Sequence, residues 1–356
     1  MRGDKHLEVA VVYGNHGAVP IQLEDYHVIL EESFLESGVR FRHSESPVPG
    51  ILNVLIECFD KDLVQDLIEM KAEHPATEYI CIATEVVTGS TFNRFEAKST
   101  DSPYASFLKH LSRRIVRRLV KMLTPPNSRF RKTLMYENLT RAQDHYSNLY
   151  YWEKRFRNFS RLAPHFKAVW CSAEFLLPGY RALLPHTSVN LMPVVTFREQ
   201  PQAVFASEKE QDVDFLFTGT VTAYRAEFLG ALKRKGYKVV AGSSLWPRYF
   251  REHFLRRAKV CLDMRQSPHW RAPSPMRLHR LLVEGRLVVS EKGDMTCFED
   301  GYVELASSDD FVRICEEQLR LGDHQRRGLE ASHRYLKDLE PKRREMRRLI
   351  ESALAV

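Results

Sequence analysis

The chain is poor in cysteine, and its cysteines form no recognisable site. None of the six belongs to a Cys-x-x-Cys pair or to a Cys/His cluster with zinc-ligand spacing. Four stand in apolar, strand-like runs and two are scattered: Cys58, Cys81, Cys171 and Cys261, and then Cys297 and Cys315. We therefore expect them to be small buried side chains.

Long apolar runs are also missing. No segment approaches the roughly 20 apolar residues of a membrane span, and Met1-Arg2-Gly3-Asp4-Lys5-His6 lacks the apolar core of a signal peptide. We expect a cytoplasmic protein. The 356 residues, 44% hydrophobic and 28% charged, are typical of a soluble globular protein with room for two domains. The net charge of +7 favours acidic partners: nucleotide phosphates, anionic lipid or nucleic acid.

Short apolar segments alternate with longer amphipathic ones, which predicts βαβ units and parallel sheets. In residues 1–196 the predicted strands are Val9–Tyr13, Val39–Arg42, Leu52–Glu57, Tyr79–Ala83, Ala168–Cys171 and Val189–Pro193. The predicted helices between them are Leu23–Glu36, Asp60–Glu73 and Ser147–Leu162. These elements predict one doubly wound domain.

Polar residues without a sustained period predict a linker at 197–211. Residues 212–335 then show the same alternation and predict a second domain, and 336–356 is a C-terminal helix that could pack back on the first. The predicted strands here are Asp214–Thr218, Lys238–Ala241, Lys259–Met264, Leu287–Ser290 and Tyr302–Leu305. The predicted fold class is α/β, with two Rossmann-like doubly wound domains facing a cleft.

Two segments about 50 residues apart predict a site for phosphate. Asp214-Phe215-Leu216-Phe217-Thr218-Gly219-Thr220 indicates a buried strand, a tight glycine turn and then a helix that contains Arg225. Ser274-Pro275-Met276-Arg277 has the N-cap, the first-turn proline and an arginine of a second helix start. Because helix N-termini carry unpaired N–H groups and an arginine fork bonds two phosphate oxygens, we predict a diphosphate cradle.

Together with Ala258–Asp263 and the run from Ser274 to Glu291, these segments resemble the C-terminal half of GT-B glycosyltransferases. Those enzymes have two Rossmann-like domains and move a sugar from an activated nucleotide donor. The chain is similar in particular to bacterial polysaccharide and spore-coat type glycosyltransferases. The likeness covers about residues 212–322 in its motifs and the N-terminal half in its architecture.

The resemblance implies that Gly219 and Thr220 let the backbone approach the donor diphosphate. Arg225 and Arg277 would neutralise it, which supports departure of the nucleotide. The helix start at Ser274 would belong to the same donor site, and the acceptor would lie on the N-terminal domain. No metal and no cofactor other than the nucleotide-sugar substrate is expected.

One position departs from the family pattern. Many relatives place a glutamate three residues after the arginine at Arg277, where it bonds the ribose hydroxyls, and here that position is Arg280. Glu284 follows one helical turn later on a similar face and could substitute. Arg280 either suits a different nucleotide or is a surface residue of an amphipathic helix.

A base that takes the acceptor proton would come from the N-terminal domain, near the end of a strand. His16 follows the first strand between two glycines, and Glu85 follows Ala83-Thr84. Each could equally be a loop residue without a catalytic role. Asp25 is a weaker candidate, because a carboxylate in the first turn of a helix also favours the helix dipole.

Two further motifs bear on metal binding and on the donor site. Asp212-Val213-Asp214 has an Asp-x-Asp form, but it opens a strand, at the end away from ligands, so we expect no metal there. His269 and Trp270 precede the second helix start, where the ring could pack on a base or sugar or fill a hydrophobic space under the loop.

Residues 104–123, YASFLKHLSRRIVRRLVKML, have apolar residues at helical spacing and basic residues between them. This segment could lie on an anionic membrane surface, grip a nucleic acid backbone, or pack its apolar stripe on the core. A membrane position would suit a lipid-linked acceptor, at the inner face of the cell membrane.

The sequence therefore predicts a glycosyltransferase that moves a sugar from a nucleotide-activated donor to a glycan, lipid-linked or other glycoconjugate acceptor. Bacterial surface polysaccharide synthesis is the pathway it fits. The alternatives are a DNA-modifying, phage-type glycosyltransferase and a non-catalytic nucleotide-binding or scaffold protein of the same fold.

Overall fold

The structure is a computed structural model that describes residues 8–12, 24–56, 59, 61–93, 149–242 and 248–355. Its first sheet is six-stranded, wholly parallel and ordered β2-β1-β3-β4-β7-β8. The strands are β1 (Glu8–Val12), β2 (Arg40–Ser44), β3 (Leu52–Ile56), β4 (Glu78–Ala83), β7 (Phe166–Cys171) and β8 (Ser188–Leu191). Between β4 and β7 in the chain lies a small antiparallel hairpin, β5 (Val87–Thr88) and β6 (Thr91–Phe92).

Four helices accompany this sheet in the described part of the chain. They are α1 (Glu24–Glu36), α2 (Lys61–Glu73), α3 (Leu149–Leu162) and α4 (Leu177–Leu183). The central strand β3 reads Leu-Asn-Val-Leu-Ile and is buried at every residue. Such continuous burial is what a parallel sheet covered by helices on both faces requires.

The second sheet is five-stranded and parallel, in the order β10-β9-β11-β12-β13. Its strands are β9 (Val213–Thr218), β10 (Val239–Gly242), β11 (Ala258–Asp263), β12 (Val288–Glu291) and β13 (Glu304–Ala306). The helices are α5 (Ala223–Arg234), α6 (Arg248–Arg257), α7 (Pro275–Val283) and α8 (Phe311–Leu321). In this order the chain reverses its winding direction between β9 and β11. Ligands of doubly wound sheets bind at that reversal, beyond the carboxyl ends of the strands.

Two final helices, α9 (His324–Asp338) and α10 (Glu340–Leu354), return to the first sheet. Leu349, Ile350 and Ala353 of α10 share one hydrophobic cluster with residues of β1, β3 and α1. Arg343 of α10 donates hydrogen bonds to the carbonyls of Thr196 and Arg198 at 2.8 and 2.7 Å. The C-terminal helix therefore contributes to the N-terminal core and also holds the start of the segment between the sheets.

The predicted fold class is confirmed: the chain forms two doubly wound parallel α/β units. Each predicted strand and helix has a counterpart, with ends that agree within about two residues. The hairpin β5–β6 and the short helix α4 were not predicted. Gly236 and Gly285 adopt positive φ angles of 91° and 66° after α5 and α7, as expected of glycines that end helices.

Two predicted features lie outside the described residues. They are the loop that carries His16 and the basic segment 104–123. Within the part of the chain that the structure describes, no helix combines the length and the apolar character needed to cross a bilayer.

Candidate functional site

A cavity of about 310 Å³ lies between the two sheets, at the carboxyl ends of their strands. From the N-terminal side it is lined by Asp25 and Tyr26 of α1, by Thr84 after β4, and after β7 by Ser172, Ala173 and Phe175. From the C-terminal side it is lined by residues after β9 and β11 and by the first turns of α7. The cavity thus occupies the reversal point between β9 and β11, where a doubly wound sheet binds ligands. We call it the cleft.

Gly219 and Arg277 meet at the centre of the C-terminal wall. A Cβ placed on Gly219 would lie 2.7 Å from Nη2 of Arg277 and 2.9 Å from Cζ of Phe217, so only glycine fits there without displacement. The Arg277 guanidinium lies over the Phe217 ring, 5.0 Å from its centroid. The structure therefore brings Gly219 and Arg277 together, as the diphosphate prediction requires.

Arg277 is held by groups beneath the cleft. Its Nη1 donates to Oδ1 of Asp263, which ends β11 and is fully buried, and its Nε donates to the Thr218 carbonyl at 3.3 Å. Nη2 has no hydrogen-bond partner among the described residues, and it lies beside Gly219. The guanidinium is thus fixed along one edge and leaves the other edge available to an anion.

Ser274 occupies the N-cap position of α7, as predicted, with Pro275 in the first turn. Its side chain does not cap the helix, and its backbone N–H donates to Oδ2 of Asp263 at 3.3 Å. Ser274 therefore lines the cleft with a hydroxyl that is not used by the helix.

Arg225 also lines the cleft, but its hydrogen bonds go to the backbone. Its Nη1 donates to the Thr220 carbonyl at 2.8 Å, and Nε and Nη2 donate to the carbonyl of Met264 at 3.0 and 2.7 Å. It lies 5.0 Å from the Phe217 centroid, as Arg277 does. Arg225 braces the turn after β9 against the loop after β11, and direct contact with a donor phosphate stays a prediction.

Arg280 reaches across to the N-terminal domain. Its Nη1 is 3.1 Å from Oδ2 of Asp25, and its Nη2 donates to Oγ1 of Thr218 at 2.6 Å. Arg251 of α6 approaches the same Asp25 oxygen at 3.6 Å. The reading of Arg280 as a surface residue is wrong, because its side chain is only 14% exposed and crosses the domain interface.

Glu284 lies apart from these residues. It borders a smaller interdomain cavity with Glu32 and Glu252, and it is not among the residues that line the cleft. Burial raises the pKa of its carboxyl. The structure does not place Glu284 where it could replace a ribose-binding glutamate beside Arg277.

Sequence reasoning missed a buried cluster that supports the cleft. Glu291, fully buried at the end of β12, pairs with Arg265 at 2.7 Å and accepts hydrogen bonds from Tyr224 and Ser308. Nη1 of Arg265 donates to the carbonyls of Pro268 and Trp270 at 3.3 and 3.2 Å. The cluster thus fixes the loop between β11 and α7. The one signal of this cluster in the sequence is a glutamate, Glu291, at the end of an apolar strand.

The two sequence-predicted bases have different outcomes. Oε2 of Glu85 accepts from Asn93 at 2.5 Å, and Oε1 faces Arg155 at 3.4 Å, so the carboxylate ties the β5–β6 hairpin to α3. The cleft lining includes the neighbouring Thr84 rather than Glu85. His16 lies in the part of the chain that the structure does not describe, so its role stays a prediction.

Asp212 and Asp214 lie at the start of β9, at the opposite end from the cleft. Asp212 pairs with Arg257 at 2.7 Å and Asp214 with Lys259 at 2.8 Å. Over the described ranges, no group of three or more His, Cys, Asp or Glu side chains has the geometry to hold a metal ion. Trp270 lines the cleft, whereas His269 does not and is exposed.

The fold and the cleft define a protein with two doubly wound parallel α/β units that face a common cleft. Solved structures that resemble it include TarM (8% identity, covering 85% of this chain and 54% of TarM, TM-score 0.43). They also include the pneumococcal O-GlcNAc transferase GtfA in complex with UDP and GlcNAc (9% identity, covering 95% of this chain and 59% of that chain, TM-score 0.42). A third is an α,α-trehalose-phosphate synthase (UDP-forming) from Burkholderia vietnamiensis (8% identity, covering 98% of this chain and 99% of that chain, TM-score 0.46).

The chain spans only about half the length of TarM. No protein-family model matches the sequence, and no curated protein matches it.

Proposed function

We propose that the protein is a glycosyltransferase that binds a nucleoside-diphosphate sugar in the cleft. The observation that carries this proposal is the arrangement of Arg277 over Gly219 at the start of α7. The guanidinium is held by Asp263, its Nη2 edge has no partner among the described residues, and a side chain at 219 would block the approach. A phosphate placed there meets an arginine fork and a helix N-terminus together.

The charge of the cleft supports a diphosphate. Five arginines line it. In the part of the chain that the structure describes, three carboxylates pair with four of them: Asp25 with Arg251 and Arg280, Asp263 with Arg277, and Glu291 with Arg265. Among the described residues of the lining itself, arginines outnumber carboxylates five to one, and a diphosphate diester, which carries one negative charge on each phosphate, suits such a lining.

Unsatisfied polar atoms support a ligand rich in hydroxyl groups. Oγ1 of Thr84, on the N-terminal wall, and Nε2 of Gln266, on the C-terminal wall, are buried without hydrogen-bond partners among the described residues. Buried polar atoms of this kind normally have a partner, and a sugar offers hydroxyl groups to both. We place the donor on the C-terminal wall and a glycan or lipid-linked acceptor on the N-terminal wall.

The wider setting is also part of the proposal. A basic segment at 104–123 and a net charge of +7 suit a protein that works at the inner face of an anionic membrane on surface polysaccharide. The nucleotide sugar is a substrate, and we propose no metal or other cofactor.

Thermal unfolding with nucleotides tests the donor site. Uridine, guanosine, thymidine, adenosine and cytidine diphosphates would each be added to the wild-type protein, to Arg277→Ala and to the control Arg313→Ala. A ligand present at 100 times its Kd stabilises the folded state by about 2.7 kcal/mol. We expect one nucleotide to raise the midpoint, the rise to vanish in Arg277→Ala and to persist in Arg313→Ala. Arg313 is exposed and pairs within one helix. No rise with any of the five would refute a nucleoside-diphosphate donor.

A non-catalytic nucleotide-binding protein is a second candidate, which one observation favours. Asp25 is the single carboxylate among the described residues that line the cleft, and it pairs with two arginines. The described cleft therefore shows no carboxylate ready to accept a proton. Slow hydrolysis of the matching nucleotide sugar would separate the two, because an enzyme releases nucleoside diphosphate and a binding protein does not.

A further inference from the structure

The helix α7, which carries Arg277, has a second polar contact on the side away from the cleft. His279 follows Arg277 by two positions, so at about 3.6 residues per turn its side chain projects roughly 200° around the helix from that of Arg277. His279 is 5% exposed, and burial lowers the pKa of its imidazole to about 3, so the ring is uncharged at neutral pH. Its Nδ1 lies 2.6 Å from the hydroxyl oxygen of Tyr335 in α9. One hydrogen bond therefore joins the helix of the proposed phosphate site to a C-terminal helix.

Tyr335 also holds the segment that follows β12. The tyrosine is fully buried, and its hydroxyl donates to Oε1 of Glu299, a residue that is 1% exposed, at 3.4 Å. Lys342 of α10 approaches the same carboxylate oxygen at 3.4 Å. With the tyrosine proton directed to Glu299, the Nδ1–H of His279 donates to the Tyr335 oxygen, so the hydroxyl acts both as donor and as acceptor. Three buried polar groups from three parts of the chain thus satisfy one another.

The C-terminal helices that carry these groups are anchored in the N-terminal domain. Lys342 is followed by Arg343, whose guanidinium donates to two backbone carbonyls at the start of the segment between the sheets. The helix α10 also shares a hydrophobic cluster with β1 and β3. At the end of α7, the helix α9 packs so closely that a Cβ placed on Gly328 would lie 2.7 Å from the backbone nitrogen of Leu287. The side of α7 away from the cleft therefore rests on helices that are fixed elsewhere in the molecule.

We propose that Tyr335 is a positioning residue for the donor site: its hydroxyl fixes α7 through His279, and α7 then presents Arg277 to the diphosphate. Arg277 extends from the first turn of a helix of nine residues, so a small rotation of that helix moves the guanidinium relative to Gly219. Without the hydroxyl, Nδ1–H of His279 is a buried donor with no acceptor, and a shift of α7 relieves that loss. The link to the diphosphate rests on the proposed function, whereas the support of α7 by Tyr335 does not.

Hydrogen exchange of the full chain without nucleotide, followed by mass spectrometry, measures the support of α7. We expect the amides of α7 to exchange about fivefold faster in Tyr335→Phe, while those of α5 exchange as before. Tyr302→Phe is the matched control, because the Tyr302 hydroxyl donates to Asp338 at 2.8 Å and its ring centroid lies 5.2 Å from that of Tyr335. This control removes the same group from the same aromatic cluster but no bond to α7, so exchange in α7 should not change. Equal exchange of α7 in the wild type and in Tyr335→Phe would overturn the proposal.

Calorimetric titration with the nucleoside diphosphate that binds the wild type tests the link to Arg277. Tyr335→Phe and His279→Leu break the same hydrogen bond, so each should raise the Kd by about fivefold. The double variant should raise the Kd by the same factor and not by about 25-fold, because two substitutions that remove one interaction do not add. His279→Asn keeps an N–H near the position of Nδ1 and should bind the nucleotide as the wild type does. Tyr302→Phe should also leave the Kd unchanged.

The outcomes separate a positioning role from general damage to the fold. An unchanged Kd in Tyr335→Phe, or a double variant near the product of the two single effects, would overturn the role of Tyr335 at the donor site. Equal loss of binding in His279→Asn and His279→Leu would do the same, because it would assign the effect to the imidazole rather than to its bond with Tyr335. If no nucleoside diphosphate binds the wild type, the proposed function fails, while hydrogen exchange still decides whether Tyr335 holds α7.

Discussion

The Phe217 ring organises the charged residues of the donor wall. Arg225 and Arg277 each lie 5.0 Å from its centroid, one braced by backbone carbonyls and the other by Asp263. A cation–π contact contributes about 0.5–2 kcal/mol, so the ring helps to keep two like charges in fixed places. A site for phosphate needs this preorganisation, because guanidinium groups that had to be ordered on binding would lose affinity.

Gly219→Ala tests the contact between the glycine turn and Arg277. The new Cβ would overlap Nη2 of Arg277, at 2.7 Å, and the Phe217 ring. We expect Arg277 to move and the nucleotide-induced rise in midpoint to fall by at least half, with a loss of unfolding free energy of about 1–3 kcal/mol. Calorimetric titration and urea unfolding measure both quantities.

Gly230→Ala is the control for that variant. Gly230 lies within α5, and its Cβ would meet only the mobile end of Arg234, at 3.3 Å. Alanine in a helix interior is favoured over glycine by up to about 1 kcal/mol. This variant should be as stable as the wild type or more so, with normal nucleotide binding. Equal binding by both alanine variants would contradict the role given to Gly219.

The loop between β11 and α7 is the element on which the cleft depends. Arg265 and Glu291 hold its start, Thr222 donates to the Gln266 carbonyl at 2.8 Å, and Met295 donates to the Arg271 carbonyl at 2.9 Å. These contacts come from α5, β12 and the segment after β12. A loop fixed from three elements can present Trp270 and Ser274 to a ligand without ordering on binding.

Gly293→Ala is predicted to disturb this loop from behind. Its Cβ would lie 2.8 Å from the carbonyl carbon of Arg271 and 3.0 Å from Cα of Ala272, and backbone atoms cannot turn aside. We expect a loss of about 2–3 kcal/mol in unfolding free energy and faster amide hydrogen exchange in residues 265–274. Hydrogen exchange followed by mass spectrometry measures the loop. Unchanged protection there would show that the loop does not rest on Gly293.

The strands could be predicted because their signal is local. Buried parallel strands such as β3 and β9 are short apolar runs bounded by turns, and a single window of sequence contains that information. The helix start at Ser274 and the glycine turn at Gly219 are local for the same reason. Their positions in the cleft then follow from the rule that ligands bind at the carboxyl ends of the strands.

The partners of the charged residues could not be predicted, because they come from distant parts of the chain. Arg280 meets Asp25 across 255 positions, and Glu85 meets Arg155 across 70. In the sequence, a carboxylate that follows a strand looks like a candidate base whether its side chain faces the cleft or pairs with an arginine. Only the packing of α3 against the hairpin decides that Glu85 is tied down.

At the scale of the whole molecule, the buried His279 and the half-buried His27 make stability depend on pH. Burial, with a smaller effect of the Lys342 charge, lowers the pKa of His279 to about 3, and burial beside His43 lowers that of His27 to about 4. Between these values and the model-peptide pKa of about 6.5, the unfolded chain binds protons that the folded chain does not. The stabilisation is complete above about pH 6.5 and is lost as the pH falls.

We expect the unfolding free energy to decrease by up to about 1.4 kcal/mol per pH unit for each histidine below pH 6. Urea unfolding at pH 7.5, 6.5 and 5.5 measures this slope. His279→Asn should reduce the slope of unfolding free energy against pH by the contribution of one histidine, whatever the effect of the substitution on stability at pH 7.5. His186→Asn, at an exposed position, should leave the slope as it is. A slope that His279→Asn does not alter would contradict the assignment.

The position of α10 has a consequence for how the protein is made. Leu349, Ile350 and Ala353 complete a core that includes residues of β1, β3, β4 and α1. They leave the ribosome roughly 150 residues after β8, which at about 5–20 residues per second is a delay of roughly eight to thirty seconds. During that interval the first sheet exposes an apolar face to solvent. Newly made chains that stall before residue 340 should therefore be substrates for chaperones and proteases.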